Sequence, residues 1–193
     1  IAFDATINGG KTVITINPNS NLSSSQVVYV AIGTSVEDAS NNAINAANAS
    51  FTAADILAPT TTFSPANSAT SVAVASNITL TFNEAVRLTN NTALDDSNVD
   101  ALITLKEDNA SGADIAFDAT INGGKTVITI NPDSNLSSSQ VVYVAIGTSV
   151  EDASNNAINA ANASFTAADI LAPTMIITSA EVSDGASSND STL

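Results

Sequence analysis

The sequence predicts an all-β fold built from antiparallel β-sandwiches. Short apolar or alternating segments recur between clusters of Asn, Gly, Ser and Pro, a spacing typical of sandwiches. The best helical alternative is the Ala-rich stretch 157–168, but it lacks a 3.6-residue apolar period and is rich in Asn. A long internal repeat is the third observation, and it sets the size of the folding unit.

Residues 1–60 recur as residues 115–174 with a single difference, Asn19 against Asp133. The offset of 114 residues is the size of a domain and exceeds that of a solenoid repeat. We therefore divide the chain into the C-terminal half of one unit (1–57), a complete unit (58–172) and the start of a further domain (173–193). Copies this alike indicate recent duplication, as in long tandem arrays.

The complete unit contains six predicted strands, at 77–82, 102–105, 115–121, 126–130, 140–146 and 163–167. The turn 122–125 (Asn-Gly-Gly-Lys) predicts a hairpin because Asn and Gly tolerate positive φ. Pro132 should end the second hairpin strand, since proline cannot donate to a ladder. We expect a buried core made of Leu80, Phe82, Ile128, Ile130, Tyr143 and Phe165.

The composition excludes several classes of function. The chain has no Cys, no His and no Trp, and its 19 acids against 4 bases give a net charge of −15. Catalysis by Ser-His-Asp or Cys-His groups, zinc fingers, iron–sulfur sites and disulfides are therefore excluded. Such an acidic chain repels nucleic acid and anionic membranes, and no apolar run approaches a membrane span. We expect no enzyme, no nucleic-acid partner and no membrane contact.

Three segments carry a family resemblance. They are PTTTFSPANSATSVAVASNITLTFNEAV (59–86), GGKTVITINPDSNLSSSQVVYV (123–144) and VEDASNNAINAANASFTAAD (150–169). Together they resemble the bacterial Ig-like domains of S-layer proteins and giant repeat adhesins. One departure is Asn155 (and Asn41), where the family usually has Gly; Asn also visits the left-handed region, so the turn is compatible. The resemblance implies tandem Ig-like Greek-key β-sandwiches on an extracellular bacterial surface.

The seven-strand Ig order places the end of one unit against the BC and FG loops of the next. Asp55 then meets Glu84, Glu151 and Asp152. Four converging carboxylates repel one another, and Ca²⁺ relieves this because it binds oxygen ligands. The resemblance also implies calcium ligands at the "F-x-E", "D-x-x-G-N" and linker Asp positions. The alternative is a solvated acidic pole that keeps a long array soluble.

A second, weaker candidate is the segment LDDSNVD, with Asp95, Asp96, Asn98 and Asp100. Alternating oxygen groups are similar to those of calcium loops, but the EF-hand Gly and terminal Glu are missing. A loop that caps a helical turn explains the segment equally well.

We expect a non-catalytic structural extender repeat of a large secreted bacterial cell-surface protein, an adhesin or a surface filament, with Ca²⁺ as a structural ion at the junctions. Its partners would be neighbouring Ig-like domains of the same chain and further copies in a fibre. The alternatives are a glycan- or protein-binding Ig-like module that uses the polar loops of one pole, and an S-layer or filament subunit with lateral contacts.

The half-unit should not stand alone, because it supplies only half of a core. We expect protein outside residues 1–56 to bury Phe3, Ile14, Ile16, Tyr29 and Phe51. Two routes are open. Either the half-unit is continuous with an upstream Ig half, or the tail Met175–Leu193 of another copy completes it by strand addition and builds a fibre.

Overall fold

A computed structural model describes residues 1–176, and within that range the chain forms thirteen β-strands and one short 3₁₀ turn at Asp100–Leu102. The strands are β1 Phe3–Ile7, β2 Ile14–Pro18, β3 Val27–Ile32, β4 Ala47–Thr52, β5 Thr61–Ser64, β6 Ile78–Phe82, β7 Arg87–Leu88, β8 Ile103–Glu107, β9 Phe117–Ile121, β10 Val127–Pro132, β11 Val141–Ile146, β12 Val150–Glu151 and β13 Ala161–Thr166. The all-β prediction is confirmed, and the Ala-rich stretch 157–168 contains β13.

The complete unit is a two-sheet sandwich. One sheet has the strand order β5-β6-β10-β9 and the other β13-β11-β8, and all the pairings are antiparallel. In Ig notation these orders are A-B-E-D and G-F-C, which is the seven-strand Greek-key arrangement. The ribbon of β7 and β12, which sequence analysis did not predict, extends the loops at one pole of the sandwich.

The core lies between the two sheets because alternate residues of each strand point inward. Leu80, Phe82, Ile128, Ile130 and Phe165 are all buried, as predicted. The prediction for Tyr143 is wrong, since this side chain is only half-buried. β11 is apolar on both faces, and it turns Val142, Val144 and Ile146 toward the core, which leaves Tyr143 on the outer face.

The hairpin between β9 and β10 forms as predicted, and β10 ends at Pro132. Its turn differs from the prediction in one respect: the residue with positive φ is Lys125 (φ 56°), which follows the two glycines. Asn122 holds the turn, because its Oδ1 accepts hydrogen bonds from the N–H groups of Thr126 (2.8 Å) and Val127 (3.1 Å).

The first unit repeats two hairpins of the complete one. β1 pairs with β2 as β9 pairs with β10, and β3 pairs with β4 as β11 pairs with β13, in the same registers. Among the described residues no strands correspond to β5, β6 and β8 of the complete unit. The two hairpins therefore flank an open apolar groove.

The described residues of the chain do not bury the side chains that we expected to be covered in the first unit. Phe3, Ile14, Ile16, Tyr29 and Phe51 are exposed. Tyr29 corresponds to the half-buried Tyr143, so even a complete unit would leave it partly exposed. The further domain expected over 173–193, and with it most of the tail Met175–Leu193, falls from residue 177 onward outside the described residues.

Candidate metal centre

Three carboxylates from three separate segments meet where the first unit ends and the second begins. Asp55 lies after the last strand of the first unit, Glu84 lies between β6 and β7, and Asp152 follows β12. One carboxylate oxygen of each lies within 4.8 Å of the others. Ca²⁺–oxygen distances are about 2.3–2.6 Å, so oxygens on opposite sides of one ion lie about 5 Å apart. The spacing fits a shared Ca²⁺.

Asp152 is held by its own loop. Its Oδ1 accepts hydrogen bonds from the N–H groups of Ser154 (2.7 Å) and Asn156 (2.9 Å), and its Oδ2 accepts one from Asn156 Nδ2 (2.8 Å). The side chain is buried, with a relative exposure of 1%. Burial acts to raise its pKa, but the bonds from Asn156 and Ser154 and the charge of Arg87 outweigh burial, so the pKa lies below its ordinary value. Asp152 is therefore a fixed anion.

Asp55 is fixed by the linker. Its Oδ1 accepts hydrogen bonds from Ser24 Oγ (2.6 Å) and from the Leu57 N–H (3.1 Å), and Ser24 Oγ in turn accepts one from the Ile56 N–H (2.9 Å). The Asp55 main-chain oxygen accepts a hydrogen bond from Asn156 Nδ2 (3.2 Å). Asn156 thus joins the two units directly, since the same amide also binds Asp152.

Glu84 faces both of these anions. Burial, followed by the charges of Asp152 and Asp55, raises the pKa of Glu84 above its ordinary value. This is the electrostatic signature of a third carboxylate placed where two others already lie. A cation in the cluster would remove the repulsion that raises this pKa.

Glu151, the fourth predicted ligand, lies outside the cluster of three. Its Oε1 is 3.2 Å from Arg87 Nε, and the Arg87 guanidinium also donates to Ala153 O (3.2 Å) and Asn155 Oδ1 (3.0 Å). Asn155 has φ 68°, so it takes the left-handed conformation expected at this position. Arg87 therefore clamps the loop that carries Asp152, and Glu151 neutralises Arg87.

The weaker candidate cluster is occupied with main-chain hydrogen bonds. Asp96 Oδ1 accepts from the Ile121 N–H (2.9 Å), and Asp100 Oδ1 accepts from the Ala119 N–H (2.8 Å). Both donors lie on the outer edge of β9, the last strand of its sheet. Asp95 Oδ1 accepts hydrogen bonds from the hydroxyl and from the N–H group of Ser97, and these two bonds lower the pKa of Asp95. The three acids terminate a sheet edge and shape the loop before the 3₁₀ turn.

Sequence reasoning overlooked two functional groups at the junction, Asn156 and Arg87. The chain offered a signal for each. Asn156 occupies the Asn position of the "D-x-x-G-N" pattern, and Arg87 is the only arginine in the sequence. The contacts depend on loops that are more than sixty residues apart, so local pattern alone does not show them.

A comparison with protein families agrees with the fold. The sequence profile described as "Bacterial Ig-like domain" matches residues 55–167. A comparison with curated proteins gives no match. Within residues 1–176 the structure contains no helix long and apolar enough to cross a membrane.

Two solved structures are similar to the chain. CopC from Methylosinus trichosporium OB3b shares 16% identity and a TM-score of 0.39 over 58% of this chain and 94% of its own. LD transpeptidase LdtMt1 in complex with imipenem shares 18% identity and a TM-score of 0.36 over 57% of this chain and 40% of its own.

Proposed function

We propose that this chain, which belongs to the family of bacterial Ig-like domains, is a non-catalytic structural extender of a large extracellular bacterial surface protein, stiffened by Ca²⁺ at its junctions. The observation that carries the proposal is a linker whose hydrogen bonds are repeated. Ser138 Oγ donates to Asp169 Oδ1 (2.8 Å), and the Leu171 N–H donates to the same oxygen (3.0 Å), as Ser24 and Leu57 do at Asp55. Each unit therefore leaves its last strand with the same linker geometry.

Charge supports an extended array. Residues 61–174 contain twelve acidic and three basic residues, a net charge of −9. Neighbouring units of like charge repel, which favours separation along an array over collapse. Repeated identical units suit a spacer, since each copy adds length without adding a new site.

Calcium is proposed for the junction because three carboxylates lie together there and the linker that carries one of them is already held by hydrogen bonds. Without a cation, burial and the charges of Asp152 and Asp55 oppose the negative charge of Glu84 and raise its pKa. An ion shared by Asp55, Glu84 and Asp152 would tie the linker to two loops of the next unit. A flexible connection would then become a stiff one, in which the Asn156–Asp55 bond fixes the register.

The test of calcium uses two matched variants of the full 193-residue chain. Asp152 and Asp38 lie in identical loops, and Asp38 Oδ1 accepts the same bonds from Ser40 and Asn42. Within the described part of the chain, Asp152 has Asp55 and Glu84 as neighbours and Asp38 does not. We expect Asp152→Asn to weaken Ca²⁺ binding, measured by calorimetry, by about tenfold or more, and Asp38→Asn to leave it unchanged.

Saturating Ca²⁺ should also stabilise the chain by about 2.7 kcal/mol at 100 times Kd, and it should narrow the distribution of interdomain angles in X-ray scattering. Identical melting and scattering curves in Ca²⁺ and in EDTA would contradict the calcium part of the proposal.

The extender part of the proposal is tested by adding one 114-residue unit to the chain. The maximum dimension should grow by one unit length, and a compact longer chain would contradict it.

A further inference from the structure

The first unit exposes an apolar surface, and the complete unit shows which segment packs against the same surface there. Its open groove is lined by apolar side chains from both hairpins, among them Phe3, Ile14, Ile16, Val30 and Ile32. The sequence of this surface is the sequence of residues 115–171, apart from Asn19. What covers residues 115–171 in the complete unit therefore shows what fits residues 1–57.

In the complete unit, the segment 59–114 packs against residues 115–171. Its strand β6 pairs with β10, with Leu80 opposite Ile128, and its strand β8 pairs with β11, with Leu105 opposite Val144. These four side chains are buried. Among residues 1–176, the corresponding strands of the first unit, β2 and β3, each pair with one neighbour only, so one main-chain edge of each is open to any further strand.

Segment 59–114 also supplies hydrogen-bond acceptors that a purely apolar partner would lack. Asp96 and Asp100 accept hydrogen bonds from the N–H groups of Ile121 and Ala119, on the far edge of β9. The corresponding groups of β1 are the N–H groups of Ile7 and Ala5. A partner that completes the first unit therefore needs two edge strands, an apolar face between them and a loop with two acids at this spacing.

We infer that residues 1–57 are an acceptor for a polypeptide segment with the sequence of residues 59–114 that is not already bound to a half-unit of its own. Binding would complete a second sandwich by strand addition on both sheets. A folded second copy of the chain is not the donor. It carries one such segment and two acceptor surfaces, so an exchange closes one sandwich only by opening another.

The experiment adds a separate polypeptide 59–114 to the full 193-residue chain. We expect saturable 1:1 binding by calorimetry and a second cooperative unfolding transition. The probe variant Leu80→Asp places a charge in the completed core and should weaken binding more than about 100-fold. The matched probe Thr81→Asp adds the same charge on the exposed face of the same strand and should change binding less than about threefold.

A second arm keeps the inference testable if the free polypeptide aggregates. Residues 59–114 are placed directly before Ile1, so that Asp114 precedes Ile1 as it precedes Ile115 in the sequence. Amide exchange at Ile14 and Ile16 should then slow to the rates at Ile128 and Ile130. Unchanged exchange in this chain would overturn the inference. So would a dimer formed through residues 1–57 that the soluble polypeptide does not displace.

Discussion

Residues 1–57 and 115–171 differ at one position and form the same hairpins in the same registers, yet the described residues bury most of the apolar strand side chains of the second stretch and few of those of the first. Ile16 is 41% exposed and its counterpart Ile130 is 0% exposed; Phe51 is 50% exposed and Phe165 is 1% exposed. Local sequence therefore determines the strands and turns, whereas burial of their side chains depends on a segment elsewhere in the chain. That segment is 59–114.

The same contrast separates two identical acidic loops. Asp38 and Asp152 receive equivalent hydrogen bonds, and the pKa of each lies below its ordinary value. For Asp38 the bonds from Asn42 and Ser40 are the main cause and burial opposes them least; for Asp152 burial is the largest single influence, and the bonds from Asn156 and Ser154 together with the charge of Arg87 outweigh it. The sequence of the loop is thus enough to keep its aspartate ionised, and the residues around the loop determine whether that aspartate belongs to a cluster of carboxylates.

The largest expected difference between the two stretches concerns their equivalent phenylalanines. Phe165→Ala should lower the free energy of unfolding of the complete unit by about 3–5 kcal/mol, because a fully buried ring leaves a cavity. Phe51→Ala should change the transition of the complete unit by less than about 0.5 kcal/mol, since that ring lies in the other unit. Urea unfolding followed by circular dichroism measures both.

The two substitutions control for each other, because they make the same chemical change within the same sequence. Similar losses of stability would mean that the first unit contributes to the folding of the second. The difference in exposed fraction between Phe51 and Phe165 would then not be matched by a difference in the free energy of unfolding.

A smaller effect is expected at the edge of β9. Asp100→Ala should lower the free energy of unfolding by about 1–3 kcal/mol, because the N–H group of the buried Ala119 loses its acceptor. Asp118→Ala, in the same strand but exposed, should cost less than about 0.5 kcal/mol. Equal effects in thermal or urea unfolding would show that the main-chain bond does not stabilise this edge.

Sequence reasoning reached the parts of the fold that short segments determine. Alternation predicted β6, the turn 122–125 predicted the β9–β10 hairpin, and Pro132 marked the end of β10. The inward side of β11 was harder to assign, because Val142 and Tyr143 are both apolar and only the neighbouring strands select between them. Burial of Tyr143 was therefore predicted wrongly.

The candidate site shows the same division. The strand order implied by the family resemblance led to Asp55, Glu84 and Asp152, and the structure brings these three together. The direction of Glu151 depends on Arg87, which lies 64 residues earlier and approaches through the β7–β12 ribbon. Two-residue strands such as these have too short a pattern to be recognised, so the sequence marks Arg87 as unusual without placing it beside Glu151.

The smallest expected effect is a pH dependence at the junction. Because burial and the charges of Asp152 and Asp55 raise the pKa of Glu84 in the folded chain, the folded state takes up the Glu84 proton more readily than the unfolded state. In calcium-free buffer, the Glu84 contribution to the free energy of unfolding should therefore rise as the pH falls through the folded-state pKa of Glu84, and level off below the ordinary carboxyl pKa.

Glu84→Gln removes the charge at every pH. It should stabilise the calcium-free chain at neutral pH by about 0.2–1 kcal/mol, the range of partly exposed charge pairs, and lose this advantage in acid. Glu37→Gln, exposed and remote from the cluster, should show neither effect in the same unfolding series. A destabilised Glu84→Gln chain at neutral pH without calcium would mean that the three carboxylates do not repel one another, and the junction would then have no electrostatic need for a cation.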